Sequence, residues 1–163
     1  MIFRSIQFAV LLVMLVALVT TDSPGQNAAL IDDPAVAAVA ARASTFFEGV
    51  SEDKIQEAFA ALLAGSQLAK GDRQEQLTLL MKKTRDLATN YGPYRNHERI
   101  AARRVGADLV VLKYLYKCEN YPVVWYIVFY RDQREPRGTE ASALDTWRVI
   151  SLRLDTDLEA LAR

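Results

Sequence analysis

From Leu109 to Arg131 the chain reads LVVLKYLYKCENYPVVWYIVFYR, two runs rich in aromatic and β-branched residues joined by the turn-prone ENYP. The pattern predicts a long antiparallel hairpin. With an even connection centred between Asn120 and Tyr121, Tyr116 opposes Trp125, Tyr114 opposes Ile127 and Leu112 opposes Phe129, and Cys118 and Val123 join that face. The other face sets Val111, Lys113, Leu115 and Lys117 opposite Tyr130, Val128, Tyr126 and Val124, mixing charge with apolar surface. The first row is the expected inner face. Further strand signals run from Arg99 to Val105 and from Thr146 to Asp155, with Gly106-Ala107-Asp108 as a turn and Ile150, Leu152 and Leu154 as the dry face of the last strand.

Ahead of the strands the period is helical. Val36, Val39, Ala43 and Phe46 or Phe47 recur at spacings of three and four, with Pro34 suited to a first helical turn. Ser51, Glu52 and Asp53 predict the start of a second helix with Ile55, Phe59, Leu62 and Leu63 as its buried stripe. Asp72 and Glu75 suggest the capped start of a third, running to about Thr89 with Leu77, Leu80, Met81, Leu87 and Ala88 on one side. Asn90-Tyr91-Gly92-Pro93 ends it, because Gly92 permits positive φ and Pro93 disfavours helix at the residue before it. Residues 132–145 are polar, with Pro136 and Gly138, and predict an exposed loop; Thr156 and Glu159 form a capping box for a short C-terminal helix. Helices first and strands second predict an α+β domain, N-terminal helices packed on a curved antiparallel β-sheet, because parallel units would alternate the two.

The N-terminus adds a compartment. Arg4, an uncharged run from Phe8 to Val19 and the polar TTDSPGQ have the layout of a secretory signal, and the run is short of the roughly 20 residues of a membrane span. The expected organisation is a signal peptide over 1–25, a flexible lead over 26–33 and a single domain over 34–163. The protein is therefore expected to be exported, periplasmic or secreted, without a stable membrane span once the signal is cleaved; an uncleaved anchor is the alternative.

Charge and composition narrow the chemistry. Among 163 residues, 20 Lys and Arg balance 20 Asp and Glu, so no global field draws the chain to nucleic acid. Cys118 is the only cysteine, which leaves folding to packing rather than to an internal disulfide, and its strand position suggests a buried, inert thiol. His97, the only histidine, lies in the polar YRNHER and reads as a surface or loop residue. No metal and no cofactor are expected: one His and one Cys do not make a zinc site, and no glycine-rich phosphate loop follows a strand. No nucleophile elbow surrounds any serine, so no catalytic residue is assigned.

FFEGVSEDKIQEAFAALLAGSQLA, the YGPY break, KYLYKCENYPVVWYIVFYR and WRVISLRLDTDLEAL resemble the nuclear-transport-factor-2-like superfamily, the conical cystatin-like fold of ketosteroid isomerases, scytalone dehydratase and polyketide cyclases, and in particular small exported bacterial proteins of that fold. The resemblance implies a cone between the sheet's concave face and the helices that holds a ligand or catalytic groups. Tyr114, Tyr116 and Trp125 then become the candidate pocket wall, and Tyr126 and Tyr130 a candidate interface for a homodimer through the outer sheet face. The family's isomerases use a carboxylate base over the substrate, and no acidic residue falls on the expected inner strand positions. The expected function is an exported domain binding a small apolar molecule or a protein partner. The alternatives are a cone-pocket isomerase, dehydratase or cyclase acting on a small apolar substrate, and an assembly factor of the cell envelope.

Overall fold

The computed structural model describes residues 33–132 and 146–161. The expected signal segment, nearly all of the lead and residues 133–145 of the polar loop lie outside them. Within the described residues, helices precede an open sheet of four antiparallel strands in the order β1-β2-β3-β4, an α+β meander. No helix among these residues is long and apolar enough to cross a membrane.

Helix α1, Pro34–Ser51, begins where the Asp33 carboxylate accepts the Ala35 amide at 2.8 Å, with Pro34 in the first turn where its missing N–H costs nothing. It buries Val36, Val39, Ala40, Ala43, Phe46, Phe47 and Val50. Ser51 does not open the second helix as expected: it closes α1, its hydroxyl donating to the Glu48 carbonyl at 2.7 Å, and Asp53 turns the chain at φ +61°. Helix α2, Ile55–Leu62, then crosses α1 so closely that a β-carbon on Gly49 would stand 2.9 Å from that of Ala58. Two 3-10 turns, Gln67–Ala69 and Gly71–Arg73, lead into α3, Gln74–Arg85. The expected single third helix is divided at Asp86, and α4, Leu87–Tyr91, follows. Just before the break the buried Thr84 hydroxyl donates back to the Leu80 carbonyl at 2.8 Å, a bond that bends helices.

Strands β1 (Tyr94–Val105), β2 (Leu109–Cys118), β3 (Pro122–Arg131) and β4 (Trp147–Asp155) follow. The hairpin faces are those expected, but the register differs: Tyr114 pairs with Trp125, Leu112 with Ile127 and Tyr116 with Val123, two residues from the predicted partners. The turn explains the shift. The amides of Glu119 and Asn120 donate to the carbonyls of Pro93 (3.0 Å) and Tyr91 (2.9 Å), so the hairpin tip is tied to the α4–β1 corner rather than closing on itself around Asn120-Tyr121. Gly92 makes the corner at φ +86°, where a β-carbon would lie 3.0 Å from both Glu119 and Asn120. Because a shift of two keeps strand parity, no side chain changes face.

Bulges do change faces. In β4 the register slips between Val128 and Phe129, so Trp147 and Val149 point inward before the slip and Leu152 and Leu154 after it, while Ile150, expected on the dry face, is 41% exposed. β1 starts at Tyr94 rather than Arg99 and slips twice, leaving Tyr94, His97, Arg99, Ala102 and Arg104 on the inner side. The short C-terminal turn, Leu158–Leu161, is capped differently from expectation: Asp155 accepts the Asp157 amide and Asp157 accepts the Glu159 amide, while the Thr156 carbonyl receives the Tyr121 hydroxyl. The core lies between α1, α2 and the inner sheet face, centred on Phe46, Phe47, Phe59 and Trp125, whose rings meet edge to face at 5.1 to 6.5 Å.

Candidate functional site

The inner row of the hairpin splits among three environments. Trp125 is sealed in the core, and its Nε1–H finds no oxygen or nitrogen acceptor among the described residues. Tyr114, also buried, sends its hydroxyl toward α1, donating to the Ala40 carbonyl at 3.2 Å. Burial pushes the Tyr114 phenol up, against the Ser44 hydroxyl and the Arg99 guanidinium, which favour its ionised form.

Tyr116 borders a cavity of about 390 Å³ where α1 ends, α2 begins and α4 meets the sheet. Val50, Ile55, Leu87 and Cys118 give it an apolar wall, with Tyr94 alongside and Asp53 and Arg85 at an exposed rim. Tyr116 is only 4% exposed, and its hydroxyl makes no hydrogen bond among the described residues. Burial raises its pKa far above the ordinary phenol range, with Cys118 and Tyr94 adding to the effect, so it is a neutral donor. The Cys118 thiol, also raised by burial, is not poised to react.

Beside this cavity, the sequence reading missed a polar cluster on β1. His97 is not a loop residue. It is a half-buried strand residue whose ring lies 5.1 Å from that of Phe47, and its Nδ1 is 2.8 Å from the Tyr94 hydroxyl. In an unbroken strand, residues three apart face opposite ways; the irregularity between Tyr94 and Asn96 brings these two to one side. Burial lowers the His97 pKa, opposed by the Glu48 carboxylate, and burial followed by Glu48 raises that of Tyr94. Both groups are therefore neutral at pH 7.

On the far side of His97 an open groove of about 490 Å³ runs between α1 and β1, lined by His97, Arg99, Tyr114, Ser44 and the alanines at 37, 40 and 41. On the outer face, Tyr126 is covered by two cations, Arg153 at 4.3 Å and Lys113 at 5.2 Å from its ring centroid, while Tyr130 is 43% exposed. Among the described residues no group of three or more His, Cys, Asp or Glu side chains converges on a possible metal position.

Tyr116 was legible from strand alternation; the spacing of Tyr94 and His97 hid their pairing, and only the alternation of His97 with Arg99 hinted at a strand. Comparison with family models, with curated proteins and with solved structures gave no match.

Proposed function

We propose that this chain is an exported binding domain of the conical, nuclear-transport-factor-2-like kind, and that it holds a small, largely apolar ligand carrying one hydrogen-bond acceptor in the cavity beside Tyr116. One observation carries the reading: a phenol hydroxyl on a residue 4% exposed, without a hydrogen-bond partner among the described residues, at the wall of a largely apolar space large enough for a small molecule. The Tyr116 oxygen is not among the sealed polar atoms of the fold, so it opens into the cavity, where a ligand carbonyl or ether oxygen accepts its hydrogen in place of water. Binding is favoured over isomerase or dehydratase chemistry because the only carboxylate in the lining, Asp53, is exposed at the rim, whereas a base for such chemistry needs to stand over a sequestered substrate.

The test compares the protein with its Tyr116→Phe variant against small cyclic ketones and their parent hydrocarbons, by thermal shift and calorimetry. The ketones bind the wild type and bind Tyr116→Phe at least about tenfold more weakly, the equivalent of about 1.4 kcal/mol, while the ligand-free variant keeps the stability of the wild type. Equal ketone affinity in the two proteins, or equal affinity for ketone and hydrocarbon, overturns the reading. Export is tested separately by mass spectrometry of the mature chain, which should begin between Thr20 and Leu30; an intact Met1 on a cytosolic protein overturns that part.

A further inference from the structure

We infer that the groove between α1 and β1 is a second binding site, independent of the cavity beside Tyr116, and that it takes the carboxylate of a small organic monoacid. Arg99 carries the argument. It lies on the inner side of β1, partly buried, and makes no ion pair and no hydrogen bond among the described residues. Of the other cations of β1, Arg95 pairs with Glu119 and Arg104 with Asp33, while Arg103 is exposed to solvent. Arg103 points to the opposite face from Arg104.

Around the unmatched guanidinium the groove is lined by polar side chains, with no carboxylate among the described residues of its wall. His97 lines the groove with its Nδ1 held by the Tyr94 hydroxyl and its ring kept from charging by burial; in the tautomer in which that hydroxyl donates, Nε2 carries the hydrogen and is a donor. The Ser44 hydroxyl, on the helix across the groove, can turn to the same space. Alanines at 37, 40 and 41 keep the helix side low, so a planar group can lie on it and reach the fork of Arg99, whose two parallel N–H groups match a carboxylate. Glu48 stands one helical turn beyond Ser44 and acts electrostatically on His97 and Tyr94. Its negative charge opposes a second charge in the groove, which selects a monoanion over a phosphate dianion.

The experiment titrates the full chain with benzoate, benzamide and inorganic phosphate, followed by backbone amide NMR. Benzoate shifts the amides of Ala41, Ser44 and Arg99 saturably, whereas benzamide and phosphate bind at least tenfold more weakly. Arg99→Gln loses at least tenfold in benzoate affinity, Arg99→Lys recovers only part, and Arg103→Gln behaves as the wild type. Benzoate binding unchanged in Arg99→Gln, benzamide or phosphate binding as tightly as benzoate, or equal losses in Arg99→Gln and Arg103→Gln each overturn the proposal. Tyr116→Phe leaves benzoate binding intact, so failure of the cavity reading and failure of this one are told apart.

Discussion

Replacing Arg42 with Met should be among the most damaging single changes to this fold, although a lone arginine on a helix of alanines carries no such signal in the sequence. From α1 its guanidinium donates to the Trp147 carbonyl of β4 at 3.0 Å and to the carbonyls of Ala61, Leu62 and Ala64 at the end of α2. The Leu62 carbonyl lies in the last turn of α2, at the negative end of its dipole, while the Ala61 carbonyl also accepts the Ala64 amide at 3.4 Å. Ala61 and Ala64 are at the surface and regain water when the guanidinium leaves, so their bonds contribute little. The bonds to Leu62 and Trp147 are partly buried, and a charge-assisted bond of this kind contributes about 1.5–3 kcal/mol. Two of them, discounted for partial solvent access, set the expected loss for Arg42→Met at about 3 kcal/mol, a large share of a typical domain stability of about 5–15 kcal/mol. Met keeps the aliphatic stem, so the loss reports the guanidinium. With a urea slope of about 2 kcal/mol per molar, the unfolding midpoint falls by about 1.5 M. Arg42→Lys should recover less than half, because an ammonium cannot span α2 and β4 together. A loss under about 1 kcal/mol, or full rescue by Lys, would refute the argument that the planar fork joins helix and sheet.

Two further predictions concern the core and β1. Trp125→Phe should cost less than about 1.5 kcal/mol in chemical denaturation, since the lost volume is offset by removing an Nε1–H that has no acceptor among the described residues, whereas Trp125→Ala should cost about 3–5 kcal/mol; equal losses would show that the N–H is satisfied by the surrounding rings. Burial holds the His97 pKa below its ordinary 6.5 in the folded protein, so the unfolded chain binds the proton first as pH falls: stability is level above about pH 6.5 and declines as pH drops toward the folded value. His97→Gln should remove that decline from a series of urea titrations between pH 7.5 and 5, and an unchanged slope in the variant would assign the effect to other groups.

What the sequence disclosed and what it hid follow from one physical distinction. Alternation fixes which face a side chain takes, because burial rewards one parity and punishes the other; hence the inner row of Leu112, Tyr114, Tyr116, Trp125 and Phe129 was legible, and all five are buried. Alternation is blind to a slip of two, which leaves every side chain on its face, so the register was set instead by Glu119 and Asn120 reaching the carbonyls of Pro93 and Tyr91, a contact between segments remote in sequence. A slip of one does reverse parity, and there the pattern misleads: Trp147 and Val149 against Leu152 and Leu154 cannot share one face of a regular strand, and only the irregularity at Ile150 reconciles them. β1 carries two such irregularities in 12 residues, so its period announced a strand only from Arg99 to Val105 and missed the half that begins at Tyr94. The bulge that hides the start of β1 also makes its chemistry, since Tyr94 and His97 can share a hydrogen bond only because the strand between them is broken. Polar groups meeting across an interrupted alternation are thus where a reading by period must fail, and where a search for the binding surface of this fold should begin.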